Sequence, residues 1–168
     1  MATSFSVPIE AFFRRIETDR GFFNYFNLAE EEAIALATKR ATQYLREACA
    51  RITLECPNGL DFTDYDEETE QINADLNKKE VYILSSLMYE MYLNRDIAKL
   101  RCLSVNYAPT DLRVFDPSNA RKTFMTMYSA VVQENEYLID WYRSTDRDTG
   151  ELRNIDFAGM DIDGDTIF

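Results

Sequence analysis

Residues 77–103 read NKKEVYILSSLMYEMYLNRDIAKLRCL, and the fold class turns on them. Val81, Leu84, Leu87, Met88, Met91, Tyr92 and Ala98 recur at the interval of one helix face. Asn77 followed three residues later by Glu80 is a capping pair, in which each side chain satisfies an amide the first turn leaves bare. This is the most apolar helical stretch in the chain, so it is expected at the centre. Upstream, Asn27 with Glu30 repeats the capping pattern, and Ile34, Ala37, Ala41, Tyr44, Leu45, Ala48 and Ile52 hold a face that stops by Cys56-Pro57-Asn58-Gly59. Nearer the N-terminus, Ile9, Phe12, Phe13 and Ile16 predict a short amphipathic helix over 7–19, closed at Gly21. The aromatics Phe22, Phe23, Tyr25 and Phe26 are expected in an irregular turn beneath the helices.

Downstream of the central helix, residues 104–116 contain Pro109 and turn formers, with Leu112, Val114 and Phe115 expected to clip the loop to the core. Asp116 before Pro117 is a strong helix start, and Phe124, Tyr128, Val131, Asn135, Leu138 and Tyr142 carry the last helix to Ser144. The fold class expected is all-α: a four-helix bundle of one short and three long helices. Two segments stand outside the periodic pattern. Residues 61–75, DFTDYDEETEQINAD, read as a long exposed acidic loop. Residues 145–168 are acidic and punctuated by Gly, and read as an extended C-terminal arm on a 1–144 helical domain. Leu152, Ile155, Phe157, Met160, Ile162, Ile167 and Phe168 are spaced along that arm, and such anchors suit a segment that becomes ordered in a neighbour's groove.

Composition narrows the function classes. With 46% hydrophobic residues, ten Tyr and eleven Phe, the chain can bury a core. No charged-then-apolar leader opens it and no apolar run approaches bilayer length, which predicts a soluble, unexported protein without membrane contact. Cys49, Cys56 and Cys102 lack metal-ligand spacing and read as reduced, structural thiols. The chain has no His, which removes the commonest general base and most transition-metal sites, so an enzyme is not expected and no cofactor is implied. The net charge of −12 is concentrated: residues 61–80 carry eight acidic and two basic groups and 145–168 seven acidic and two basic, leaving one net negative charge for the rest. A protein that grips duplex DNA needs a basic stripe to displace counterions from phosphate, and the sequence offers none.

The constellations that could carry chemistry are thin. Asp161, Asp163 and Asp165 imitate the opening of a calcium loop, but Thr166 stands where the turn needs Gly and the sequence ends at Phe168 before a bidentate Glu. A solvated acidic tail is the better account, with weak divalent binding conceivable only where several copies meet. The pairs Asp64/Asp66 and Glu67/Glu68 lie in a polar loop without an apolar pocket to shift them. Trp141 reads as core or interface. Arg95 and Asp96 read equally well as surface pairs or as charge-assisted contacts to a neighbouring subunit.

The stretch 83–96, ILSSLMYEMYLNRD, resembles a helix of head–tail connector proteins of long-tailed double-stranded DNA bacteriophages, where an aliphatic run leads into a Tyr-x-Asn-Arg-Glu-like ending. Tyr92, Asn94, Arg95 and Asp96 occupy those places, with Asp replacing Glu, and are the subunit-interface candidates. KRATQYLREACARIT (39–53) is similar to the family's second helix, and the likeness extends over residues 28–103. The acidic loop, the long last helix and the tail depart from the shortest members; a final helix followed by an arm is similar to adaptor members that dock on the portal. The resemblance implies a non-catalytic structural subunit of the virion neck, between capsid and tail, made in the host cytoplasm. It further implies a homo-oligomeric ring of about twelve copies closed by rotation, which binds portal and tail or neck proteins and extends the DNA channel without sequence-specific binding. In such a ring Asp61, Asp64, Asp66, Glu67, Glu68 and Glu70 are expected at the channel or its rim, where negative charge repels passing phosphate. The rival expectations are a generic helical adaptor that binds a partner through its arm and, further off, a metal-dependent enzyme with a carboxylate site inside the helices.

Overall fold

The computed structural model describes residues 2–17, 28–57, 59–106 and 117–153, with the backbone alone described for 96–106 and 117–121. Four helices run through these residues: α1 (Ser6–Arg15), α2 (Glu30–Glu55), α3 (Lys78–Asn106) and α4 (Pro117–Ser144). The expected Asn27 cap, the aromatic cluster 22–26, the loop residues 112–115 and Asp116 lie outside the described residues. The second helix opens at Glu30 on an extended Ala29, and Glu30, Glu31 and Glu32 in its first turn favour the positive end of its dipole.

Helix α3 packs against α1, α2 and α4. Ile83, Leu84, Ser85, Ser86, Leu87 and Met88 are consecutively buried, which on a helix means burial on every side. The sequence expectation of a central apolar helix therefore matches the packing, with two serines included in the enclosed stretch. On α2, Ala37, Ala41 and Ala48 are buried, and their small side chains let the backbones approach closely. Ile34, expected on the same face, is 54% exposed. Phe12 of α1 is fully buried and meets Tyr44 of α2 and Tyr92 of α3 edge-on, with centroids at 6.0 and 6.2 Å. One ring thus joins three helices, in the geometry aromatic quadrupoles prefer.

The acidic stretch differs from the expected exposed loop. It contains β2 (Tyr65–Asp66) and β3 (Gln71–Ile72), and the N-terminal β1 (Thr3–Ser4) adds to the other side of β3 in an antiparallel sheet of order β1-β3-β2. Thr3 stands opposite Ile72, and Tyr65 faces Ile72 from the far side. Phe62 and Ile72 are fully buried, so two apolar side chains root the hairpin in the core. Thr3 closes the seam: its Oγ1 donates to the Ala74 carbonyl at 2.7 Å and accepts from the Leu76 amide at 2.9 Å. The all-α expectation must be widened by this small sheet, whose strands are too short for period-two patterning and whose third member comes from the distant N-terminus.

Cys49 and Cys56 are buried free thiols, and burial pushes the Cys49 thiol up to about 12. A raised thiol pKa leaves native stability intact below the unfolded value and erodes it as pH climbs towards the folded one. Alkylation followed by peptide mapping at about pH 8 is expected to leave Cys49 and Cys56 unlabelled in the native chain and to label both in guanidinium.

Candidate functional site

The polar groups inside the helices gather around two carboxylates of α3. Glu80 is fully buried. Its Oε2 accepts from the Asn77 amide at 2.8 Å, while Asn77 Oδ1 accepts from the Glu80 amide at 2.9 Å, which is the reciprocal capping pair read from the sequence. The same carboxylate does more than cap. Tyr142 of α4 donates its hydroxyl to Oε1 at 3.0 Å, and Arg147 donates Nε to Oε1 at 2.6 Å and Nη2 to Oε2 at 3.2 Å. Arg147 Nη2 also donates to the Asp75 carbonyl. Four donors thus converge on one buried carboxylate, where an unpaired charge would cost several kcal/mol, on the order of 3–5. Burial, followed by the charge and hydrogen bond of Glu80, drives the Tyr142 hydroxyl well above its usual range.

Ten positions along α3, Glu90 is 7% exposed. Arg51 of α2 donates Nη1 to its Oε1 at 2.7 Å and Nε to Glu55 at 2.8 Å. From α4, Asn135 donates Nδ2 to Glu90 Oε2 at 2.7 Å and to the Ser86 carbonyl at 3.3 Å. Two acceptors on Nδ2 fix the amide's orientation and leave Asn135 Oδ1 buried with no hydrogen-bond partner among the described residues. Sequence reading placed Asn135 on the inner face of α4 and left Glu90 unremarked; the signal was a Glu inside a run of apolar residues with an Arg on the preceding helix. Each carboxylate ties α3 to other elements through an arginine, an arrangement that holds parts in register.

The acidic hairpin uses part of its charge on its own turns. Asp61 accepts from the Thr63 amide and hydroxyl, Asp66 from the Glu68 amide and the Thr69 hydroxyl, and Asp64 from the Asn73 amide side chain. These bonds hold the carboxyls of Asp61 and Asp66 below the ordinary carboxylate range. Glu67 meets Arg46 of α2 at 3.3 Å in an exposed pair, and Glu68 and Glu70 are exposed, with Glu70 at φ 51° closing the turn. The six residues therefore gather on and just before one short hairpin.

Tyr92 is 4% exposed and belongs to the core, packed against Phe12 and stacked on Tyr89. As an interface candidate it gives way to Asn94, which is exposed, and to Arg95, whose guanidinium lies 5.5 Å from the Tyr92 ring. The side chain of Asp96 lies outside the described residues. Of the arm residues only Leu152 is described, at 75% exposure and in a β-bridge with Thr145; Ile155, Phe157, Met160, Ile162, Ile167 and Phe168 lie outside the described residues. The folded body continues past Ser144. Residues 145–153 form a tight hairpin in which Asp146 caps the turn through the Asp148 and Thr149 amides, and Arg153 donates its amide to the Ser144 carbonyl at 2.8 Å.

Concavities flank the C-terminal turns of α4. A cleft of about 450 Å³ lies among Leu54, Cys56, Gly59, Tyr142, Arg143 and Arg153. A groove of about 420 Å³ runs between α3 and α4, floored by Tyr82, Ile83, Tyr137, Leu138 and Trp141 and edged by Lys78 and Lys79. Among the described residues no cluster of His, Cys, Asp or Glu is arranged to hold a metal ion, and no helix is long and apolar enough to cross a membrane. Compared with known proteins, the chain matches no family model, no curated protein and no solved structure.

Removing Arg147 orphans part of a fully buried carboxylate. Arg147→Ala is expected to cost about 2 kcal/mol in urea unfolding, against a negligible effect for the neighbouring exposed Asp148→Ala. A chain ending at Ser144, which lacks Arg147, should lose at least as much.

Proposed function

We propose that this protein is a structural subunit of a bacteriophage head–tail connector, a ring-forming adaptor of the virion neck that docks on the portal and extends the DNA channel. The observation that carries the reading is the position of residues 83–96: the segment that resembles the connector helix lies in α3, around which the other three helices pack. The resemblance implies a helical body, and four helices supply one. Among the described residues the buried carboxylates, Glu80 and Glu90, are each bound by an arginine, a bonding pattern of a scaffold that fixes geometry.

In this reading the hairpin bearing Asp61, Asp64, Asp66, Glu67, Glu68 and Glu70 faces the channel or its rim. Its anchoring by Phe62 and Ile72 supports the role, because carboxylates held on a rooted turn keep their negative potential in one place, where phosphate slides past instead of adhering. Residues beyond Arg153 serve as the portal-docking arm, with Ile155, Phe157, Met160, Ile162, Ile167 and Phe168 as its anchors. Asn94, Arg95 and Asp96 lie towards the subunit boundary. A rotational ring makes one heterologous contact per subunit and closes on itself.

Light scattering and negative-stain imaging of the full chain, alone and co-expressed with the portal protein of its own virion, test this. The expected result is a closed ring of about twelve 19.6 kDa subunits, seated on the portal when that is present. A chain that stays monomeric and ignores the portal contradicts it. Within an assembled ring, Glu67→Lys with Glu68→Lys is expected to turn a surface indifferent to duplex DNA into one that retains it at low salt, read by electrophoretic mobility.

A further inference from the structure

The groove between α3 and α4 is built for a ligand that is both apolar and acidic. Tyr82 and Tyr137, on its two walls, are 47% and 69% exposed, a large aromatic surface to leave in water. Lys79 lies 4.8 Å from the Trp141 ring centroid, and among the described residues neither Lys78 nor Lys79 pairs with a carboxylate. The groove's lining holds no acidic residue; Glu134, which accepts from the Tyr82 hydroxyl at 3.2 Å, stands beyond it. The neighbouring cleft, by contrast, sets Glu55 among its arginines and is less apolar.

The complementary sequence is in the same chain. Residues 154–168, NIDFAGMDIDGDTIF, contain four Asp and no Lys or Arg. Ile155 and Phe157 flank Asp156, and Asp161 and Asp163 flank Ile162; the phase of the pattern changes between them at Ala158-Gly159, so each half, taken as extended chain, turns its apolar side chains one way and its carboxylates the other. The turn at Gly150 passes beside the groove, while the last described residue, Arg153, lines the neighbouring cleft. Arg153 is bonded to Ser144 at the C-terminus of α4, and a methyl group built on Gly150 would lie 3.6 Å from Lys79 Nζ. Trp141 is about one turn back along α4 from Ser144 and Tyr137 about two, so roughly 10 Å of helix separates the exit from the groove's far end. A dozen extended residues reach about 40 Å.

We propose that the α3–α4 groove is the docking site of the chain's own residues 154–168, bound within one molecule, with Phe157 and Ile162 against Tyr82, Leu138 and Trp141 and the aspartates facing Lys78 and Lys79. This goes beyond the connector reading and does not depend on it: docking is a property of the isolated chain, whereas the connector reading stands or falls on assembly. Where both hold, a partner that claims the segment must first displace it from its own body, so arm release becomes coupled to docking.

Trp141 is the single tryptophan and reports on the site directly. In the full chain, Phe157→Asp with Ile162→Asp is expected to shift Trp141 emission to the red and to remove its protection from acrylamide, with circular dichroism unchanged. Lys78→Glu with Lys79→Glu should do the same, and adding Asp161→Lys with Asp163→Lys to that pair should restore protection, which an unfolded or misfolded body would not allow. Protection retained in a sample whose scattering mass is that of one chain supports docking within the molecule. Protection that appears only as the mass doubles overturns it in favour of exchange between two copies, and emission indifferent to the arm substitutions overturns the site altogether.

Discussion

A carboxylate with no contact to water has to be neutralised from several directions, and the directions chosen by Glu80 organise the C-terminal half of the molecule. The side chain begins as the capping partner of Asn77 at the start of α3. By also accepting from Tyr142 and Arg147 it draws the end of α4 and the 145–153 hairpin onto the same point. Losing any one donor leaves the rest of the burial cost uncompensated, which is why such a cluster specifies a geometry more sharply than an apolar contact of equal size. Glu90 repeats the device one stage further along α3, binding α2 through Arg51 and α4 through Asn135.

The ionic staples also explain how a helix enclosed on all sides keeps its register. Apolar packing around Leu84, Leu87 and Met88 is non-directional and tolerates rotation or sliding by a few ångströms. Paired charges at Glu80 and Glu90 do not. The groove between α3 and α4 inherits this fixed spacing, since its walls, Tyr82 and Ile83 on one helix and Leu138 and Trp141 on the other, lie between the two staples in sequence. A binding surface of aromatic side chains needs such a rigid frame to remain open.

Helix positions and faces were legible in the sequence because they rest on local periodicity. The face Phe124, Tyr128, Val131, Asn135, Leu138 and Tyr142 is the inward side of α4, and the Asn77/Glu80 pair forms as read. What escaped depends on contacts between residues far apart. The sheet joins Thr3 to Ile72, and each strand contributes only two residues, too few for an alternating pattern to register. Glu80 could be recognised as a cap but not as a hub, since Arg147 lies in a segment whose acidity suggested a free arm. Tyr92 shows the reverse limit: a residue singled out by a short motif is buried by the fold, against Phe12 of the first helix. The connector-like ending was legible only as a likeness of residues, so the assembly it implies rests on the proposal.

The claim on which the structural account depends is that Glu80 and Arg147 act as one unit inside the protein. A double-mutant cycle with Glu80→Gln and Arg147→Met, followed by equilibrium unfolding, measures it. The account predicts a coupling energy of about 2 kcal/mol. A coupling near zero, as exposed ion pairs give, would mean that the hairpin is not anchored through this carboxylate, and would contradict it.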